Sequence, residues 1–226
     1  MKKPVLIVLL FAMLPSLIAQ AADGHEFQLW TEAGLRYKLS KNLRLGFDQH
    51  FRFDKDASEV ESIMPELYLT YRVIKRLRIR LGYRFMALPV TSQEDAYCDT
   101  AHRFYADLRY RYRAKPFRIR ARLRYQEQFG WPWDEDGDIQ ARHTFRQKLF
   151  FSVSTPLGLE PFVAGELFLR FGDPDGVLHK WRGSLGLSYE LDRHELSIFY
   201  RAEGMLDDDT DPLYHILGLA YSVRLN

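Results

Sequence analysis

Hydrophobic and polar residues alternate with a period of two through almost the whole chain after its first two dozen residues. In "FQLWTEAGLRYKL", Phe27, Leu29, Ala33, Leu35, Tyr37 and Leu39 share one face, while Gln28, Glu32, Gly34, Arg36 and Lys38 share the other. "LRLGFDQHFRF" repeats the plan, with Leu43, Leu45, Phe47, Phe51 and Phe53 set against Arg44, Asp48, His50 and Arg52. Nine further segments follow it: "PELYLTYRV", "LRIRLGYRF", "RFYADLRYRYR", "FRIRARLRYQEQF", "TFRQKLFFSV", "EPFVAGELFLRF", "WRGSLGLSYEL", "ELSIFYRAE" and "LYHILGLAYSVRL". The pattern predicts about eleven strands, many near the roughly 9–11 residues that carry a tilted strand across a bilayer.

The predicted connections alternate in length. Short turns fall at "SKN", "IKR", "AKP", "TPLG" and "DR", and long polar segments at 54–62, 87–100, 130–138, 172–178 and 204–212. Outer-membrane barrels have this asymmetry, with short periplasmic turns and longer outside loops. A barrel sorts alternate residues into lumen and exterior. Arginine at the lipid midplane costs roughly 2–4 kcal/mol, so Arg118, Arg120, Arg122 and Arg124 of "FRIRARLRYQEQF" belong on the lumen side. Aromatics near the strand ends, Trp30, Tyr37, Tyr83, Phe85, Tyr110, Tyr112, Tyr125, Phe129, Trp181, Tyr189, Tyr200 and Tyr221, are assigned to interfacial girdles on the apolar face. The predicted fold is therefore an all-β, antiparallel up-and-down transmembrane barrel of ten or twelve strands, since single-chain bacterial barrels have even counts. A soluble periplasmic lipid-binding barrel, apolar inside and arginine-studded outside, is the inverse arrangement.

Residues 1–21 are read as a targeting segment. Lys2 and Lys3 precede the apolar "PVLIVLLFAMLPSLIA", and Ala19, Gln20 and Ala21 offer a cleavage site, so a signal peptide at 1–21 and a barrel over 22–226 are expected, in the outer membrane of a Gram-negative bacterium. Loss of Lys2 and Lys3 would bring 32 basic residues level with 30 acidic ones, which argues against nucleic acid as a partner. On the predicted sixth strand the aromatics also alternate away from the arginines, leaving no stacking platform beside the charge. Cys98 is the sole cysteine, so no internal disulfide staples the fold.

"LWTEAGLRYKLSKNLRLGFDQHFRFD", with its opening Trp30, Thr31 and Glu32 and its basic-aromatic second strand, resembles the bacterial family called domain of unknown function 2490. The resemblance implies a predicted outer-membrane barrel and transfers no activity, cofactor or site residue. "LGLAYSVRLN" resembles the terminal strand that barrel-assembly machinery recognises, although it ends in Asn226 where an aromatic is usual. That machinery is an expected partner, as are outer-membrane lipid and lipopolysaccharide.

Parity places a basic wall in the lumen. Its members are Arg78, Arg80, Arg84, Arg109, Arg111, Arg118, Arg120, Arg122, Arg124 and Arg146, joined by Arg103, Arg113, Arg142 and Lys148, with Asp107 the lone acid among them. The opposing acids are Glu32, Glu160, Glu166, Glu190 and Glu203, together with Glu26 and Glu195. Two readings of such a lumen stay open. Forked guanidinium–carboxylate pairs reaching across it would make a sealed, structural barrel. A wet lumen would make a narrow, porin-like pore that prefers small anions.

A lipid-modifying enzyme is the third class. No Ser/His arrangement supports it: His194 and Ser197 of "HELS" have opposite parity, and His25, His50, His102, His143, His179, His194 and His215 are read as rim or girdle residues. No catalytic residue, metal site or cofactor is assigned. Acidic loops, "DKDASEVE", "WDEDGD", "GDPDG" and "DDDTD", are read as solvated or as bridged by divalent ions to lipopolysaccharide phosphates.

Overall fold

The computed structural model describes residues 26–91, 96–130, 141–171, 178–206 and 213–225. The signal peptide expected at 1–21 and the acidic runs at 133–138, 172–176 and 207–211 lie outside the described residues. Eleven strands close into one barrel: β1 (Glu26–Lys38), β2 (Leu43–Asp54), β3 (Glu59–Arg72), β4 (Leu77–Thr91), β5 (Ala96–Ala114), β6 (Phe117–Gly130), β7 (Arg142–Val153), β8 (Leu159–Phe171), β9 (Leu178–Leu191), β10 (His194–Met205) and β11 (Tyr214–Arg224). Each strand pairs antiparallel with its sequence neighbour.

The even count expected from bacterial barrels is not met. With eleven strands, β1 and β11 run the same way and close the wall by a parallel ladder from Glu26↔Tyr214 to Arg36↔Arg224. The first described residues thus lie at the long-loop end, and Arg224 at the short-turn end. Two of the expected long segments are also shorter than predicted. β4 continues to Thr91 and β5 starts at Ala96, with Pro89↔Cys98, Val90↔Tyr97 and Thr91↔Ala96 still in register. The connection from β2 to β3 is the turn at Lys55–Ser58, with positive φ at Lys55, Asp56 and Ala57. In the β4–β5 extension apolar/polar alternation fades while strand pairing persists, so the polar composition there reads as loop.

Outside, the wall is apolar. Leu67, Leu81 and Leu149 are exposed to 51, 58 and 65%, which only a lipid surround makes favourable. The girdle contains paired side chains: Tyr83 Oη and His102 Nδ1 are 2.7 Å apart, Tyr125 and His143 2.8 Å, Tyr221 and His194 2.7 Å, and Tyr200 bonds His215. Each pair consumes a phenol and an imidazole nitrogen together, so both rings can sit at the hydrocarbon edge. On β5, eight to ten residues separate His102 from Tyr110 and Tyr112. At barrel tilt that is a rise of roughly 20–26 Å, close to the height of an outer-membrane apolar band.

Candidate functional site in the barrel lumen

The arginines face inward as alternation requires, and the acids they meet are mostly neighbours along the wall. Arg124 forks onto Asp107, Nε to Oδ1 at 2.6 Å and Nη2 to Oδ2 at 3.0 Å, and Arg109 Nε lies 3.3 Å from the same carboxylate. Glu66 accepts from Tyr105 Oη at 2.5 Å and from Arg84 Nε at 2.7 Å. Glu166 Oε1 accepts from Arg122 at 2.5 Å and Arg146 at 2.9 Å. Glu203 takes Lys180 at 2.6 Å and Arg182, and Asp48 takes Arg36. Arg109 and Asp107 share β5 and the other partners sit one or two strands apart, a sideways linkage rather than the bridging of opposite walls in the sealed reading of the sequence. Cross-strand neighbours bring side chains within roughly 5 Å, whereas spanning the lumen would leave each charge to cover most of the diameter alone.

Two acids of this belt, Glu66 and Asp48, were absent from the expected set. Parity in "PELYLTYRV" places Glu66 on the inner face with Tyr68 and Thr70, so the signal was present. The belt is buried: Asp107 is 2% exposed, Glu66 and Arg124 3%, Glu166 5% and Glu203 6%.

Aromatic rings share the lumen with the charges, and one of the twelve aromatics assigned to the girdles is among them. Trp30 is that correction. It has the parity of Gln28 and Glu32, donates from Nε1 to Gln28 at 2.9 Å, and carries the Arg52, Arg201 and Arg182 guanidiniums at 3.9, 4.9 and 5.2 Å from its ring centroid. Arg120 covers Phe150 at 3.5 Å, Arg124 covers Tyr105 at 3.6 Å and Arg80 covers Tyr68 at 3.6 Å. A weakly hydrated guanidinium stacked on a ring keeps a partner where no carboxylate is present. The other girdle aromatics expected from the sequence do point outward.

Asp48, His50 and Glu66 bring one ligand atom each within 4.8 Å of one another. Arg36 and Arg84 already bind both carboxylates, and Arg84 Nη2 stands 3.3 Å from His50 Nε2, so the cluster is knitted by cations of the wall itself. His50 therefore belongs to the lumen and not to the rim. His194 and Ser197 point to opposite sides: His194 meets Tyr221 outside, and Ser197 meets Ser188 inside at 2.9 Å.

At the short-turn mouth the inward residue nearest the end changes character around the barrel. On β2 to β6 it is Arg44, Arg72, Arg78, Arg113 and Arg118 in turn, on β7 Ser152, and on β8 to β10 Glu160, Glu190 and Glu195. Arg118 pairs Glu160 at 2.8 Å, and Arg224 pairs Glu190 at 2.5 Å. Among the described residues, seven cations of the expected wall, Arg78, Arg80, Arg103, Arg111, Arg113, Arg120 and Lys148, have no carboxylate within salt-bridge reach.

A family model described as "Protein of unknown function (DUF2490)" matches residues 27–205. The chain belongs to that family. The match reaches from β1 to the end of β10 and so takes in nearly all of the belt. Among solved structures, this DUF2490 member is similar to LpxR from Salmonella typhimurium, with TM-score 0.52 at 9% identity over 83% of this chain and 84% of that one. The translocator domain of autotransporter NalP from Neisseria meningitidis aligns with TM-score 0.51 at 12% identity, over 77% of this chain and 74% of that one. At such identities the likeness is one of fold, the outer-membrane β-barrel. No curated protein matches the DUF2490 chain by sequence.

Proposed function

We propose that this protein is an outer-membrane barrel, with its long connections outside and its short turns in the periplasm, whose lumen is shut by the ion-pair belt and which serves a structural rather than a transport role. The carrying observation is the burial of Asp107, Glu66, Arg124, Glu166 and Glu203, each within 6% of complete, at the centre of a barrel whose outer face is apolar. Water running freely past these groups would leave them exposed. Each carboxylate instead meets two cations or a cation and a phenol, and removing such a partner strands a buried charge.

A narrow, anion-preferring pore is the second reading, favoured by the cations of the short-turn mouth. The lipid-modifying enzyme alternative has no residue assigned to it, and the likeness to LpxR at 9% identity is one of fold. Outer-membrane lipid, lipopolysaccharide and the barrel-assembly machinery are the partners that the membrane setting supplies.

The test is conductance across planar bilayers containing verifiably inserted protein. The sealed barrel gives no steps in wild type and opens when Asp107→Ala and Glu166→Ala loosen the belt. Discrete wild-type steps, with a reversal potential favouring anions in a salt gradient, would replace the structural reading with the pore.

A further inference from the structure

The short-turn mouth carries a group of arginines that the belt does not neutralise. Arg44, Arg78, Arg111 and Arg113 have no carboxylate within salt-bridge reach among the described residues. Arg72 gives Nη2 to Asn42 Oδ1 at 2.8 Å and to the Lys41 carbonyl at 2.9 Å, which fixes its fork without cancelling its charge. The charges acting most strongly on Arg78 are those of Arg44, Arg72, Arg113 and Arg80; on Arg111 they are those of Arg78, Arg120, Arg113 and Arg118. All are cationic.

Strand register enforces this crowding. Arg72↔Arg78, Arg78↔Arg109, Arg111↔Arg120 and Arg113↔Arg118 are direct cross-strand partners on the same face. Like charges so placed are destabilising. The acids of the same mouth, Glu160, Glu190 and Glu195, stand on β8 to β10, where Arg118 and Arg224 already bind them. An open, shallow hollow at this mouth is lined by Lys41, Asn42, Arg44, Thr70, Arg72 and Arg78.

We infer that the arginine arc on β2 to β5 at the short-turn mouth binds a multivalent oxyanion of the phosphate class. Planar guanidinium forks match such oxygens two at a time, and one dianion between cross-strand arginines relieves the repulsion of several pairs together. A monovalent ion such as chloride lacks both the charge and the forked geometry. The site does not require the lumen to conduct, so it stands or falls separately from the sealed-barrel reading.

The purified protein in non-ionic detergent would be titrated calorimetrically with inorganic pyrophosphate, and with chloride at matched ionic strength. Saturable binding of pyrophosphate alone is expected, weakened more than about tenfold in Arg78→Gln/Arg113→Gln and unchanged in Arg193→Gln, a turn residue outside the lumen. Arg44→Gln serves in the same role should the double variant fail to fold. Competition by short-chain phosphatidic acid would identify a lipid headgroup as the natural form of the anion; pyrophosphate binding without such competition would identify a soluble one. Equal heats from chloride, or full affinity in the arginine variants, would overturn the site.

Discussion

Tyr105 lies across Gly82, its direct cross-strand partner, so closely that a Cβ on Gly82 would meet the phenol ring at 2.2 Å. The ring is thereby laid along the wall, its hydroxyl reaches Glu66 on β3, and Arg124 stacks above it. Tyr68 over Gly46 and Phe199 over Gly218 repeat the relationship. Each bare strand position is covered by the aromatic beside it.

Gly82→Ala should consequently lower stability by about 1–3 kcal/mol, because overpacking lifts Tyr105 away from Glu66. Gly165 offers the contrast: nothing stands within 4 Å of its Cβ position, so Gly165→Ala is expected to be neutral or to stabilise by up to about 1 kcal/mol through lost chain entropy. Urea midpoints of the two variants, folded in the same micelles, check the difference.

Asp107→Asn should cost about 3–5 kcal/mol, since Arg124 is left buried and only half satisfied. Replacing the pair together, Asp107→Leu with Arg124→Met, should cost far less than the two single changes combined. A double-mutant cycle on unfolding free energy measures that coupling.

Trp30 and Trp181 report opposite sides of the wall. In variants retaining one tryptophan each, lipids brominated along the acyl chain should quench Trp181 strongly and Trp30 weakly. Equal quenching would mean that Trp30 faces lipid.

The spacing of His102 from Tyr110 and Tyr112 predicts a preference for bilayers whose hydrocarbon is about 25 Å thick. Folding yield across saturated lipids of increasing chain length should peak there and decline in thicker membranes.

Much of this architecture was legible from alternation alone. Parity put Arg118 to Arg124 inside and Ile119 and Leu123 outside, because a lipid surround and a charged lumen leave a strand no freedom of register. Trp30 was misplaced by judging it from its residue type rather than its even position beside Gln28 and Glu32. The partners of the arginines could not be read, because pairing depends on stagger between strands, which alternation does not encode. The β4–β5 extension is not legible for another reason: apolar/polar alternation fades there while backbone pairing, as of Pro89 with Cys98, continues.

The parallel ladder between β1 and β11 bears on how the wall is made. Every other pair in the barrel can zip from a local connection, but Trp30 and Gly218 meet across almost the whole length of the chain, and no hairpin can guide strands that run the same way. Until that contact forms, the sheet is an open ribbon with two unpaired margins and an unsealed charged interior. Ring closure therefore carries the largest loop-closure cost of any pairing in the wall, and a helper that shields those margins would act on that step.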